Sequence, residues 1–99
     1  MFILCGWFGL APQPARADAA ATPPRILVFG DSLSAAYGIE LEAGWVARLQ
    51  ERLHDAGRPH EVVNASLSGE TTAGGRARLP ALLADGPFDL VILELGGND

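Results

Sequence analysis

The chain has 99 residues, 48% of them hydrophobic, which is room for one small domain and too apolar a composition for a disordered segment. Its formal charge is −5, and all 7 basic residues are arginines with no cluster among them. That balance argues against a nucleic-acid partner and gives no electrostatic attraction to anionic lipid.

Residues 1–17 read as a secretory signal peptide. An apolar run over 2–11 is broken by Pro12 and Pro14, and Ala15-Arg16-Ala17 supplies a small-x-small cleavage pattern, so the mature chain is expected to begin at Asp18. The departure from the usual pattern is that nothing basic precedes the run; the other reading is an apolar N-terminal tail. The run is about half of the roughly 20 residues that a membrane-spanning helix needs, so no span is expected. Cys5, the single cysteine, lies inside this segment. The mature chain from Asp18 onward has no thiol for a disulfide, a metal or nucleophilic attack. A periplasmic or secreted location is the expectation.

Residues 18–24 form an Ala/Pro/Thr linker without periodicity, and the folded domain is expected over 25–99. Ile26-Leu27-Val28-Phe29 is a short apolar run of β-favouring residues, a buried strand. Gly30 ends it at an expected sharp turn, and Asp31 and Ser32 come next. Residues 33–43 read as a loop. A helix is expected over 44–56, with Trp45, Leu49, Leu53 and Ala56 on the apolar stripe and Arg48, Glu51, Arg52 and Asp55 opposite. Gly57 and Pro59 stop it. A second strand is expected over 61–65, and Thr71 or Thr72 caps a helix to about Leu79. Pro80 either kinks that helix or opens a further turn through Ala84. Asp85-Gly86-Pro87 is a turn. The third strand, 89–95, is nearly all apolar and is expected to be central.

Strands alternating with helices over short connections imply a parallel sheet with right-handed crossovers. If the strand order is 2-1-3, the loops after all three strands meet at one crevice, where ligands bind in open α/β sheets. Those loops carry Ser32, then Ser68-Gly69-Glu70, then Gly96-Gly97-Asn98-Asp99. Ser32 is a candidate nucleophile. The N–H groups of Ser32 and Gly69 and the Asn98 amide are candidate donors to an oxyanion, which together is equipment for acyl transfer. Taken singly each is equally a turn or capping residue.

Other signals are negative or bland. Gly30-x-Ser32-x-Ser34 is not a Gly-x-Ser-x-Gly elbow, and no Gly-x-Gly-x-x-Gly comes after the first strand, so no dinucleotide cofactor is expected. Asp31 is expected to make a local turn hydrogen bond. Glu70 and Glu94 have no evident partner for paired acid/base work, and Trp45 reads as core. His54 and His60 fall at the sheet edge opposite Ser32 and read as solvated surface residues, out of reach of a hydroxyl that needs a base at about 3 Å.

Gly30-Asp31-Ser32-Leu33-Ser34 resembles the first block of the GDSL, or SGNH, hydrolase superfamily. Asn64-Ala65-Ser66-Leu67-Ser68-Gly69-Glu70-Thr71 resembles the second block and Gly96-Gly97-Asn98-Asp99 the third. The wording is most similar to the secreted bacterial branch of arylesterases and thioesterase/lysophospholipases. The resemblance implies a flavodoxin-like three-layer α/β/α fold, Ser32 as nucleophile, and oxyanion donors at Ser32, Gly69 and Asn98. It implies neither metal nor cofactor. The family's Asp-x-x-His pattern near the C-terminus is not matched, which suggests the N-terminal part of a longer enzyme. The expected activity is hydrolysis of a small or medium acyl ester or thioester. A carbohydrate O-deacetylase and a non-catalytic flavodoxin-like binding domain are the alternatives.

Overall fold

The computed structural model describes residues 22–99, so the proposed signal peptide, its cleavage site and most of the linker lie outside the described residues. The elements in chain order are β1 (Arg25–Gly30), a 3-10 turn (Leu41–Ala43), α1 (Trp45–Asp55), β2 (Glu61–Asn64), α2 (Thr72–Ala84) and β3 (Leu90–Glu94). Both neighbours of β1 run parallel to it, in the order β2-β1-β3. Leu27 stands opposite Val63 on one side and Val91 on the other. The expected α/β class and parallel sheet are therefore present, and the strand order is the one that brings the three loops to one edge.

β1 is the core. Ile26, Leu27, Val28 and Phe29 are all buried, because a central strand of an α/β sheet is shielded along both edges and packed from its faces. The apolar third strand differs from expectation. It lies at the sheet edge among the described residues, and Leu90, Val91 and Leu93 are exposed. An apolar run signals a buried environment and not a place in the strand order, and here only Ile92 and Glu94 of the strand are half-buried.

The packing stripe of α1 is also rotated from expectation. Val46 is its buried residue, Leu49, Gln50 and Leu53 are half-buried, and Trp45 is 38% exposed. Residues 46, 49, 50 and 53 form the i, i+3, i+4, i+7 face, and the expected charged face is exposed. Gln50 makes this face polar for a reason. Its Nε2 donates to the His60 carbonyl at 2.9 Å and its Oε1 accepts from Val62 N at 2.8 Å, pairing backbone groups along the outer edge of β2. That contact places His60 in a half-buried position with Nδ1 shielded and unpaired, not on the solvated surface. α2 begins as expected, with Thr71 Oγ1 accepting from Gly74 N at 3.0 Å. It continues through Pro80 to Ala84; the carbonyl that Pro80 cannot pair belongs to Arg76, an exposed residue.

Candidate active site

Ser32 lies two residues beyond the end of β1, half-buried, on a tight turn. The Asp31 carbonyl accepts from Ser34 N (3.1 Å) and Ala35 N (2.9 Å), and the Ser32 carbonyl from Tyr37 N (3.1 Å). Asp31 is buried, and its Oδ1 accepts from Leu33 N at 3.0 Å, the expected local turn bond. Gly30 differs from its expected role. It still belongs to β1 and has no positive φ. It is glycine because a Cβ there would lie 2.6 Å from Glu94 Oε1 and 2.8 Å from Ser34 Oγ.

The second loop is bonded to the first. Leu67 N donates to the Gly30 carbonyl at 2.9 Å, Gly30 N to Ser66 Oγ at 3.0 Å, and Asn64 Nδ2 to the Ser34 carbonyl at 2.8 Å. Gly69, at the tip, is exposed with φ +85°, and a Cβ there would meet nothing within 4 Å. Its identity is set by the left-handed backbone, and the space in front of it is open.

The third loop closes on both. Asn98 Nδ2 donates to the Glu70 carbonyl at 2.9 Å, and a Cβ on Gly97 would lie 3.7 Å from Asp31 Oδ2. One of the two Asn98 amide N–H groups is thereby used, leaving the other. Among the described residues the backbone N–H groups of Ser32 and Gly69 have no backbone acceptor. All three sequence-predicted residues are thus on loops that touch one another at a single end of the sheet. Asp99 continues the tie: Oδ1 accepts from Thr72 N and Oδ2 from Thr72 Oγ1, both at 2.8 Å. The Thr72 backbone N–H, and then its hydroxyl, hold the Asp99 carboxyl below its ordinary value.

Neither histidine approaches Ser32. His60 precedes β2, which runs parallel to β1, so it stands at the sheet edge opposite Ser32, across a strand of roughly 13 Å. His54 lies in the last turn of α1, exposed. Glu70 and Glu94 are bonded to groups other than a second acid. Glu70 is buried and receives Arg78 Nε at 2.6 Å, while Arg78 also donates to the Ala65 carbonyl at 3.2 Å and stacks 4.7 Å over the Phe29 ring. Glu94 Oε1 accepts from Ser34 Oγ at 2.8 Å. The available signal was an acid inside or beside an apolar stretch, since such acids are rarely buried unpaired. A concavity of about 550 Å³ lies elsewhere, between α2 and the sheet, with Phe29, Leu79, Leu83, Leu93 and Leu95 in its lining. Ser32, Gly69 and Asn98 are not part of it.

The parallel α/β sheet thus gathers a hydroxyl and spare amide donors at its carboxyl edge, where ligands bind in open α/β sheets. The sequence profile of the GDSL-like Lipase/Acylhydrolase family matches residues 28–99, and the chain belongs to that family. It is 60% identical to Esterase TesA of Pseudomonas aeruginosa over 79 residues, covering 80% of this chain and 39% of that protein. It is 46% identical over 80 residues to the thioesterase 1/protease 1/lysophospholipase L1 of Escherichia coli, covering 81% of this chain and 37% of that one. In structure it is similar to AlinE4, described as an SGNH-hydrolase family esterase. The TM-score is 0.71 and the identity 41%, over 79% of this chain and 42% of the other. The chain therefore spans about two fifths of the length of these relatives.

Proposed function

We propose that the gene product carrying this chain is a serine hydrolase of carboxylic esters and thioesters. Ser32 Oγ attacks the acyl carbonyl carbon, and its proton passes to a base that is not among the described residues. The carbonyl oxygen takes up negative charge facing the Ser32 and Gly69 N–H groups and the second N–H of Asn98. Collapse expels the alcohol or thiol, which takes the proton, and leaves an acyl-Ser32 ester that water hydrolyses. The observation that carries this reading is the joining of all three loops at one sheet edge with the Ser32 and Gly69 backbone donors unspent. The relatives named esterase and thioesterase support the substrate class.

The test is hydrolysis of a short-chain aryl ester and an acyl thioester by the intact gene product. Ser32→Ala is expected to reduce turnover to background, and Asn98→Ala to lower it by roughly 10²–10³-fold, the scale for one oxyanion donor. Full turnover in Ser32→Ala would refute the reading. Wild-type protein that removes acetyl groups from a polysaccharide but leaves aryl esters intact would replace it with an O-deacetylase, and binding without turnover with a non-catalytic domain.

We further propose export to the periplasm or exterior, supported by the apolar run over 2–11 and by Ala15-Arg16-Ala17. The protein recovered from its native host should begin at or next to Asp18. An intact Met1 in the cytosolic fraction would overturn this.

A further inference from the structure

Glu94, the last residue of β3, bonds to the loop that carries Ser32. Its Oε1 accepts from Asp31 N at 3.2 Å and from Ser34 Oγ at 2.8 Å, so one oxygen holds residues on both sides of Ser32. The proton directions are forced. The Trp45 indole can only donate, and its Nε1 gives its hydrogen to Ser34 Oγ at 3.1 Å. The single Ser34 proton then goes to Glu94, which as a carboxylate only accepts. Ser34 is 2% exposed, so removal of either partner strands a buried polar group. The space is reserved for this acid, because any Cβ on Gly30 would collide with Glu94 Oε1 and Ser34 Oγ.

We propose that Glu94 is a positioning residue for the nucleophile: an acceptor at the end of β3 that ties down the Asp31 backbone on one side of Ser32 and the Ser34 side chain on the other. The proposal rests on Ser32 being the nucleophile. It requires an acceptor oxygen at this point and no proton transfer by Glu94. A displacement of about 1 Å at a reacting group costs on the order of 10²-fold in rate, which sets the scale of the expected effect.

The experiment measures aryl ester hydrolysis by the intact gene product, with reactive serines counted by an aryl phosphonate so that kcat is expressed per reactive site. Glu94→Ala should lower kcat per site by roughly 10²-fold while KM stays close to wild type. Glu94→Gln keeps an oxygen able to accept both bonds and should remain within about tenfold of wild type. Ser34→Ala removes one of the two donors, should fall between them, and decides the matter if Glu94→Ala does not fold. Fewer titratable sites with kcat per site unchanged, in Glu94→Ala or in Ser34→Ala, would show a purely structural role and overturn the proposal. So would a loss in Glu94→Gln as deep as in Glu94→Ala. The Ser32→Ala control separates the two levels: wild-type turnover no faster than this control removes the esterase reading and the positioning role together. Ser32-dependent turnover with unchanged kcat in Glu94→Ala removes only the positioning role.

Discussion

Asp99 shows how a single side chain joins two elements here. Its two carboxylate oxygens take both donors of Thr72, the first residue of α2, where the helix presents unpaired N–H groups and a positive dipole end. Donation from the Thr72 backbone, then from its hydroxyl, favours the ionised form and lowers the carboxyl below 3.8. A carboxyl depressed on folding contributes stability that is present above its unfolded value and lost as pH falls through its folded value. The link between the third loop and α2 should therefore persist through mildly acid pH and open only below the ordinary aspartate range. The Thr72 amide resonance, tracked by NMR in an acid titration, should move with a midpoint below that of an ordinary aspartate. A midpoint at or above the ordinary value would contradict the tie.

Among the elements, α2 holds the second loop through one side chain. Arg78 faces the sheet, pairs with buried Glu70, reaches the Ala65 carbonyl and lies over the Phe29 ring. It thereby bonds both ends of the loop that presents Gly69. Replacement by methionine keeps much of the volume but leaves the Glu70 carboxylate short of its charged partner. Arg78→Met should cost about 1.5–3 kcal/mol, the range for a hydrogen bond to a charged group. Arg78→Lys should recover only part of this, because an ammonium cannot reproduce the planar fork that serves Glu70 and Ala65 together. Urea unfolding of the intact gene product measures both. A change in Arg78→Met within the ~0.5 kcal/mol typical of surface sites would mean that the pair contributes nothing.

At the scale of the molecule, residues 22–99 supply one working edge and leave other surfaces bare. β3 exposes Leu90, Val91 and Leu93, and the groove between α2 and the sheet is lined with leucines. An apolar strand with an unpaired edge is a template for association. Expressed by themselves, residues 1–99 should elute from size exclusion as oligomers or aggregates. They should hydrolyse aryl ester no faster than their Ser32→Ala variant, because neither histidine stands at the Ser32 edge. A monodisperse monomer with Ser32-dependent turnover would refute both statements.

Much of this was legible in the chain itself. The run Ile26 to Phe29 marked the buried strand, the alternation of strands and helices marked a parallel sheet, and three short blocks marked the edge where its loops gather. Those features are local: they depend on side-chain type, backbone preference and spacing, which a sequence displays directly. The partners of the acids were not legible. Glu94 and Ser34 are 60 residues apart, and Asn98 and Glu70 are 28 apart; only the sheet register and the crossover of α2 bring them within bonding distance. The same holds for Gly30, whose missing side chain serves the packing of Glu94, and for α1, whose buried face rotated from Trp45 to Val46. Sequence thus determined the strands, their parallel pairing and the residues on the loops at their carboxyl ends. Which polar groups hold those residues in place was decided by tertiary structure, because a hydrogen bond across a sheet depends on register and distance that no local pattern encodes.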